Sequence, residues 1–527
     1  MVRSLLARTL ARLVVPALCA SVLLHPTAAG ALETIRLRLP LLDTDFVIRV
    51  SELRSPGSLL AGHSDLADLD RASGGAIGRR LIDVMRSNLP LELHSVLRQA
   101  QGSPLLDQVL LMVGAFGEID ALPDPLDRAA FLEAMERAAA ANGGISLLDV
   151  LEQLPGKAVT LELARVGDAM ARLRNQRRLA DAAMAAQQPV SSSGRFLNPG
   201  PSSTQRREVT IAVGHRAQPL SVVIHEPGGS GGRQPNRLVV ISHGLWDDPG
   251  SFEGWAEHLV SHGYTVVLPR HPGSDASQQR AMLSGRQPPP SPQELALRPR
   301  DVSAVIDAAA RNQLGLRQPV NSRAVLVAGH SWGATTALQL AGARPTTTKL
   351  RALCDDVRHP SRNLSWVLQC NFVGSADAAA LADPRVVAAV AVSPPMRLLF
   401  DQVSAQAMGA PVLVVSGISD WVVPPGPEAM EPVASALRSG AQGHRLVLVQ
   451  GGDHFNLRAP RGAGGGPLRG LLLAWFNAIA PAAAGQPLGL PPEGWGSASH
   501  PLRDVTAGLS QIAVQPILPS PAPGAAP

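Results

Sequence analysis

The sequence predicts an α/β protein in which a mostly parallel sheet flanked by helices follows a mostly helical N-terminal domain. Between residues 208 and 480, short unbroken runs of aliphatic residues alternate with spacers of helical length. Parallel strands that are covered by helices on both faces have this composition. In residues 32–186, apolar residues recur mainly at helical spacing, which predicts an accessory helical domain. Residues 187–207 are rich in Pro, Ser and Gly and predict a linker between the two domains.

The overall composition excludes several classes of protein. The chain has 527 residues, of which 45% are hydrophobic and 17% are charged, so it is neither a disordered polyelectrolyte nor a multi-span membrane protein. Its net charge of +5 is small for this length, and the basic residues form no run of five or six. Nucleic acid is therefore not an expected partner.

The first 31 residues have the three parts of a secretory signal peptide. Arg3, Arg8 and Arg12 provide the basic start, Leu13–Leu24 the apolar stretch, and Ala29-Gly30-Ala31 the small residues that signal peptidase requires. The alternatives are an uncleaved anchor and an ordinary helix. A signal peptide over residues 1–31 predicts a bacterial protein that is exported to the periplasm or the medium.

The cysteine content fits export. If Cys19 leaves with the signal peptide, the mature chain keeps only Cys354 and Cys370. Two cysteines this close in sequence in an exported protein favour a disulfide, and two free thiols are the alternative.

The N-terminal domain carries no visible chemistry. Alternating apolar residues at 35–39 and 46–50 predict a short β-hairpin, and helical spacing follows at 77–85, 105–110 and 131–135. No nucleophile, base or metal-ligand types cluster in this region. We interpret it as an accessory domain.

Two segments outside the predicted sheet have distinctive compositions. Residues 165–178 carry five arginines interleaved with apolar residues, which is typical of a solvated helix or of a helix on an anionic membrane surface. Residues 481–527 are so rich in Pro and Ala that we expect an extended or disordered tail.

The aliphatic runs predict the strands of the sheet. They lie at residues 209–213, 220–224, 238–241, 264–268, 324–328, 386–392, 412–415 and 446–449, the first two as an antiparallel pair. Ligands of such sheets bind at the carboxyl ends of the strands. Candidate functional residues should therefore follow these runs.

A nucleophile is predicted after the strand at 324–328. The chain continues as Gly329-His330-Ser331-Trp332-Gly333 and then enters a helical stretch. At a strand-to-helix turn, two glycines permit the strained conformation that exposes a serine hydroxyl. Ser331 is the candidate nucleophile.

A base and an acid follow the last two strands. A serine hydroxyl needs a positioned base, and His454 follows the strand at 446–449. Asp420 follows the strand at 412–415 and supplies a carboxylate to orient that histidine. The chain order Ser331, Asp420, His454 is the one that this strand arrangement requires.

An oxyanion loop is predicted after the strand at 238–241. Gly244 permits a turn there, and we expect the backbone N–H groups of Leu245 and Trp332 to bind the oxyanion. We assign His243 as a tentative pocket residue, with a structural hydrogen-bonding role as the alternative and no role as a second base.

Two long connections, 274–300 and 344–385, predict a cap over the site. We expect the cysteine pair to stiffen this cap, and Trp246, Trp332 and Trp421 to form apolar walls of the substrate pocket. The alternative is a surface elaboration with tryptophans in the core.

No metal or cofactor is expected. Asp247, Asp248 and Asp275 lack convergent His or Cys partners, so they are interpreted as turn and capping residues.

Together the motifs resemble the dienelactone-hydrolase and platelet-activating-factor-acetylhydrolase-like branch of the α/β-hydrolases. The resemblance rests on Ser242-His243-Gly244 and on residues 264–275, 298–302, 329–333 and 451–455. It covers about half of the chain and implies the α/β-hydrolase fold with a Ser-His-Asp triad. Residues 32–165 also resemble a helical domain of unknown function that precedes such hydrolases, notably in cyanobacteria. That second resemblance rests on the opening hairpin and on residues 145–151.

Two departures from the resemblance affect the expected activity. In the acetylhydrolases the acid follows the preceding strand, where this chain has Ser393, so Asp420 matches the dienelactone-hydrolase arrangement instead. The nucleophile is Ser331, whereas dienelactone hydrolases use a cysteine. General ester hydrolysis is therefore expected rather than either named reaction.

The expected function is that of an exported serine hydrolase that cleaves a small or lipid carboxylic ester through an acyl-enzyme. An amidase, a peptidase or an acyltransferase would use the same triad. A catalytically silent binding protein on the same fold is a further alternative, as is a main biological role for the N-terminal domain in attachment or partner binding. The sequence predicts no oligomeric state.

Overall fold

The computed structural model describes most of the chain beyond the predicted signal peptide. The described residues are 32–39, 44–87, 96, 99–100, 102–115, 117–120, 128–142, 145–228, 237–375, 381–440, 443–479, 489–514 and 517–518. Residues 1–31, where the signal peptide is predicted, lie outside this set. So do residues 480–488 and 519–527 of the predicted tail and its border.

The chain divides into two compact units. The first comprises Met1–Pro90 and Val113–Arg165, and the second comprises Leu91–Met112 and Val166–Pro527. The boundary at Arg165 differs from the predicted domain end at residue 186. The difference arises because one continuous helix, Leu163–Ala185, crosses the boundary and lies mainly in the second unit.

The first unit contains a four-stranded sheet as well as helices. Its strands are β1 Thr34–Arg38, β2 Asp45–Arg49, β3 Gly117–Ile119 and β4 Ala158–Glu162, in the order β2-β1-β4-β3. β1 and β2 form the antiparallel pair that the alternating pattern predicts. β4 pairs parallel with β1 across more than a hundred residues, and no local pattern indicates that pairing.

Serine side chains cap the starts of several helices of the first unit. Its helices are α1 Pro56–Leu60, α2 Asp65–Ala72, α3 Ala76–Arg86, α5 Arg128–Asn142 and α6 Leu147–Gln153, while α4 Pro104–Gly114 and α7 Leu163–Ala185 cross the unit boundary. Ser146 and Asp149 form a reciprocal capping box at the start of α6, which satisfies otherwise unpaired N–H groups. Leu53, Leu59 and Ile82 lie in the buried core of this unit.

The second unit is built on a nine-stranded sheet. Its strands are β5 Ser203–Ile211, β6 Leu220–Gly228, β7 Arg237–Ser242, β8 Thr265–Pro269, β9 Asn321–His330, β10 Val386–Val392, β11 Val412–Gly417, β12 Arg445–Val449 and β13 Leu502–Asp504. The spatial order is β13-β12-β11-β10-β9-β7-β8-β6-β5, and the strands from β12 to β8 in that order run parallel. All eight predicted strands are present, so the predicted mostly parallel sheet is confirmed.

Helices cover both faces of this sheet. They are α8 Glu253–Ser261, α9 Ala276–Leu283, α10 Glu294–Ala310, α11 Trp332–Leu340, α12 Thr348–Leu353, α13 Ser365–Cys370, α14 Gln402–Gln406, α15 Glu431–Arg438 and α16 Arg469–Ile479. Consecutive strand residues enter opposite cores: Val240 packs in one cluster and Val239 in the other. Two-sided burial explains why the strands are unbroken aliphatic runs.

The C-terminal segment corrects the prediction of an extended or disordered tail. β13 pairs antiparallel with β12 and extends the sheet, a 3-10 helix follows at Thr506–Gln511, and Trp495 is buried in the core. The predicted linker also differs, since its last five residues already belong to β5 and Phe196 within it is buried. Pro- and Ala-rich composition gives no information about pairing with a distant strand, so neither contact was predictable locally.

The arginine-rich segment 165–178 lies in α7, and Arg174, Arg177 and Arg178 are exposed there. Among the described helices, none combines the length and apolarity that a membrane span requires.

Candidate active site

The end of β9 and the start of α11 hold Ser331 in a strained turn. Ser331 has φ 52° and ψ −121°, a conformation that non-glycine residues rarely adopt. The flanking glycines are needed because their neighbours are close. A Cβ on Gly329 would lie 2.0 Å from the Gly333 carbonyl oxygen, and a Cβ on Gly333 would lie 2.0 Å from the Ser242 carbonyl oxygen. The two glycines of the predicted motif therefore permit the turn.

The loops after β11 and β12 join an imidazole to a carboxylate. His454 Nδ1 lies 2.9 Å from Asp420 Oδ2, and both side chains are buried. Asp420 Oδ1 accepts the backbone N–H groups of Val422 and Val423 at 3.0 and 2.8 Å, which fixes the carboxylate. With the proton on Nδ1, Nε2 of His454 is left as a base.

Adjacent backbone contacts set the distance between these two loops. The Ser419 N–H donates to the Gly452 carbonyl at 2.9 Å, and a Cβ on Gly417 would lie 2.2 Å from that oxygen. Asp453 shapes the turn before the histidine by accepting the N–H groups of Phe455 and Asn456. The structure thereby brings Asp420 and His454 together from two neighbouring parallel strands.

His330, which precedes Ser331, fastens the histidine loop to the serine turn. Its Nε2 lies 2.8 Å from the His454 carbonyl oxygen, and the two rings are 4.8 Å apart. Burial lowers the pKa of His330 well below its usual value, so His330 is neutral and donates from Nε2. Ser331, His454 and Asp420 therefore lie at the same edge of the sheet.

The loop after β7, residues 243–248, lies beside Ser331, and we call it the oxyanion loop. A Cβ on Gly244 would lie 3.3 Å from Ser331 Cβ, which is a tight contact, so glycine favours this close approach of the backbone. Within the described part of the chain, the Leu245 and Trp332 N–H groups donate to no acceptor. Trp246 has φ 56° and donates its N–H to the Ser274 carbonyl at 2.7 Å, which turns the loop at this point.

A chain of buried hydrogen bonds holds the oxyanion loop from behind. Asp301 Oδ2 accepts His271 Nδ1 at 2.7 Å, and His271 Nε2 accepts the Ser242 hydroxyl at 2.9 Å. The His271 backbone N–H donates to His243 Nε2 at 3.1 Å, and His243 Nδ1 donates to the Gly244 carbonyl at 2.8 Å. Burial lowers the pKa of His271 to about 4, so both of its bonds are made by the neutral ring.

Acidic residues on α10 anchor this chain. Burial alone would raise the pKa of Asp301, but hydrogen bonds from His215, His271 and Arg216 hold it well below the usual value. Glu294 accepts Arg216 and also the Ser274 hydroxyl at 3.0 Å, and Ser274 is the residue that Trp246 contacts. α10 thus supports the oxyanion loop through both His271 and Ser274.

Arg298 lies on the same face of α10 and contacts the oxyanion loop directly. Its Nη2 donates to the His243 carbonyl, and within the described residues its Nε and Nη1 have no acceptor. Burial lowers its pKa to about 10. Sequence reasoning named Arg298 and Asp301 only within a resemblance motif. Arg298 follows Glu294 by four residues, and Asp301 follows Arg298 by three, so the three charged side chains share one helix face. That spacing is the sequence signal for the hydrogen-bond network behind the oxyanion loop.

Comparison with known protein families supports the fold. The sequence model of a family described as the alpha/beta hydrolase fold matches residues 237–353, which contain the oxyanion loop and Ser331. The fold is that of the α/β-hydrolases. The matched range ends before Asp420 and His454, so it does not bear on those two residues. A search of the curated proteins found no match.

The predicted pocket residues occupy different environments in this α/β-hydrolase fold. His243 is buried, and both of its ring nitrogens are hydrogen-bonded within the protein. This environment matches the alternative, structural role rather than the expected role in an open pocket. Trp421 is 52% exposed and follows Asp420 directly, so its role as a pocket wall stays a prediction. Trp246 is partly buried and donates Nε1 to Gln278 Oε1 at 2.9 Å.

The third predicted wall residue, Trp332, packs against the predicted cap segment. Trp332 is buried, stacks 4.6 Å from Phe372, and donates Nε1 to the Leu368 carbonyl at 3.2 Å. Cys354 and Cys370 form a disulfide in the same cluster, with Cα atoms 5.6 Å apart. The cap segment therefore packs directly on the first residue of α11, which follows Ser331.

A buried glutamate joins this cap to the sheet. Glu428 accepts the Ser365 hydroxyl at 2.5 Å and Gln369 Nε2 at 3.1 Å from the cap. The same carboxylate accepts the backbone N–H groups of Met396 and Arg397, both at 2.9 Å, from the loop after β10. Sequence reasoning missed Glu428, because its partners come from two segments that are remote from it in sequence.

The three aspartates near the oxyanion loop have structural partners. Asp248 and Asp275 accept N–H groups at the starts of helices, and Asp247 accepts Ser251 and pairs with Arg458. No group of three or more His, Cys, Asp or Glu side chains in the described ranges is arranged to hold a metal ion.

Proposed function

We propose that this protein is an exported serine hydrolase that cleaves carboxylic esters, with a small or lipid ester as substrate. The observation that carries the proposal is the strained Ser331 turn beside a His454–Asp420 hydrogen bond of 2.9 Å. Strain, a fixed imidazole tautomer and two unpaired backbone N–H groups at one sheet edge are the parts that acyl transfer needs. The Cys354–Cys370 disulfide supports export, since disulfides persist in oxidising compartments.

Acylation begins at the serine hydroxyl. Ser331 Oγ attacks the ester carbonyl carbon while His454 Nε2 takes the hydroxyl proton. Asp420 stabilises the imidazolium that forms, because its buried carboxylate already accepts the Nδ1 proton. The carbonyl oxygen becomes an alkoxide and accepts the N–H groups of Leu245 and Trp332.

Collapse of the tetrahedral intermediate breaks the bond to the leaving alcohol. His454 gives its proton to that oxygen, and the acyl group remains on Ser331 as an ester. Water then attacks the acyl-enzyme with His454 as base, which releases the carboxylic acid and restores Ser331. The Trp332 N–H has the added help of lying at the positive end of α11.

The test is turnover of a p-nitrophenyl ester series by the mature protein and by Ser331→Ala. We expect ester cleavage by the wild type and a loss on the order of 10⁶-fold in the variant. Ser303→Ala is a matched control, because Ser303 lies on α10 and, among the described residues, its hydroxyl bonds only to Asp383. Ester turnover that survives in Ser331→Ala would refute the assignment, and p-nitroanilide amides tested in parallel distinguish an amidase.

A further inference from the structure

A cavity lies in the hydrolase unit, and its lining residues are not those of the candidate active site. Its volume is about 230 Å³. It is bounded by the far end of α11, by α14 and α15, and by β11. Leu338, its contribution from α11, lies seven residues after Ser331, which is about 10 Å further along that helix.

The wall of this cavity, which we call the Lys349 cavity, is mainly hydrocarbon. Its apolar lining includes Leu338, Met396, Phe400, Val412 and Val433. Four of these, all except Phe400, are nine-tenths or more buried, so they belong to the core and leave a space that core packing does not fill. A flexible alkyl chain complements such a wall, because each buried methylene contributes about 0.8 kcal/mol.

One lysine, Lys349, faces this apolar wall, and the carboxylates of Asp401 and Glu428 act on its charge from a distance. Lys349 Nζ donates to the Arg397 and Phe400 carbonyls, both at 2.8 Å. An ammonium has three N–H groups, so one is left without an acceptor among the described residues. Lys349 also forms no ion pair with the described carboxylates, and burial lowers its pKa to about 8.

The acidic groups of the same cavity are already engaged. Glu431 pairs with Arg397, and Asp401 accepts the Ser404 N–H at 2.9 Å as the cap of α14. The cavity therefore offers an unused N–H donor on a positively charged side chain. An acceptor group with negative charge is the complement, and a cationic head group is not.

We propose that the Lys349 cavity binds an amphiphile with a carboxylate head and an alkyl chain, separately from the candidate active site. The carboxylate accepts the free N–H of Lys349, and the chain lies along the Met396, Phe400 and Val433 side chains. This proposal does not depend on the ester hydrolase assignment, because no residue of the cavity belongs to the candidate triad or to the oxyanion loop.

The experiment is calorimetric titration of the mature full chain with dodecanoate at pH 7. Dodecanol and dodecyltrimethylammonium serve as matched probes with the same chain and a different head. We expect dodecanoate to bind more tightly than either by about 10-fold, which corresponds to 1.4 kcal/mol. Equal affinity for all three probes, or absence of dodecanoate binding, overturns the proposal.

Variants of cavity residues test where the ligand binds. Lys349→Met should weaken dodecanoate about 10-fold and change dodecanol little, whereas Lys349→Arg should keep most of the affinity. Ala436→Phe fills the cavity and should abolish binding of both, while Ala407→Phe, on the exposed end of α14, should not. Thermal melting verifies that each variant is folded. Dodecanoate affinity that is unchanged in both Lys349→Met and Ala436→Phe assigns the ligand to another site and overturns the proposal.

Discussion

Asp301 Oδ2 lies 2.7 Å from His271 Nδ1, and neither side chain is exposed to solvent. The bond fixes the His271 tautomer, and through it the Ser242 hydroxyl and the His243 ring beside Gly244. We infer that Asp301 positions the oxyanion loop without touching the substrate.

Asp301→Asn should therefore lower kcat more than it changes KM. The amide can present a donor where His271 requires an acceptor, so the oxyanion loop shifts, and misplacement on this scale costs on the order of 100-fold. Steady-state kinetics with a p-nitrophenyl ester measure the change. Asp307→Asn is the matched control, because Asp307 lies on the same helix but pairs only with Arg385 and Arg311 at the surface. A lower melting temperature with unchanged kcat would mean that Asp301 has only a structural role.

The acid position can be tested at two sites. Asp420→Asn should lower kcat about 10⁴-fold, because the amide disfavours the Nδ1–H tautomer of His454. Ser393 occupies the alternative acid position after β10, and its buried hydroxyl has no partner among the described residues. Ser393→Ala should therefore retain activity. If Ser393→Ala loses activity while Asp420→Asn retains it, the assignment of the acid is wrong.

The central sheet was predictable from sequence because each parallel strand is buried on both faces and reads as an aliphatic run. Ser331 was predictable for a related reason, since the Gly329 and Gly333 contacts are local to one turn. β4 and β13 were not predictable, because each pairs with a strand that is remote from it in sequence. The hydrogen-bond network of the charged residues on α10 was not predictable either. Buried charges such as Asp301 and Arg298 resemble a solvated helix face until their partners are known.

The disulfide should contribute to stability through the loop that it closes. Cys354 and Cys370 are 16 residues apart, and a loop of about this length is worth about 3 kcal/mol in the chain-entropy account. Urea unfolding of the Cys354→Ser, Cys370→Ser double variant should show a free energy of unfolding lower by about that amount. Reductant should destabilise the wild type to the same extent and leave the double variant unchanged. An effect of reductant on the double variant would point to a different cause.

Acid should destabilise the hydrolase unit through its buried neutral histidines. Burial lowers the pKa of His258 to about 4, and His258 Nε2 donates to the Phe196 carbonyl at 2.8 Å. An unfolded histidine has a pKa of about 6.5, so the unfolded state binds more protons between pH 6.5 and 4, and stability falls as the pH drops through that window. For His258 the loss amounts to roughly 3 kcal/mol when complete. His258→Gln keeps a donor toward Phe196 and does not titrate, so its free energy of unfolding should depend less on pH than that of the wild type. Urea unfolding at several pH values measures this dependence. If the free energies of unfolding of the two proteins change with pH in the same way, His258 does not cause the acid sensitivity.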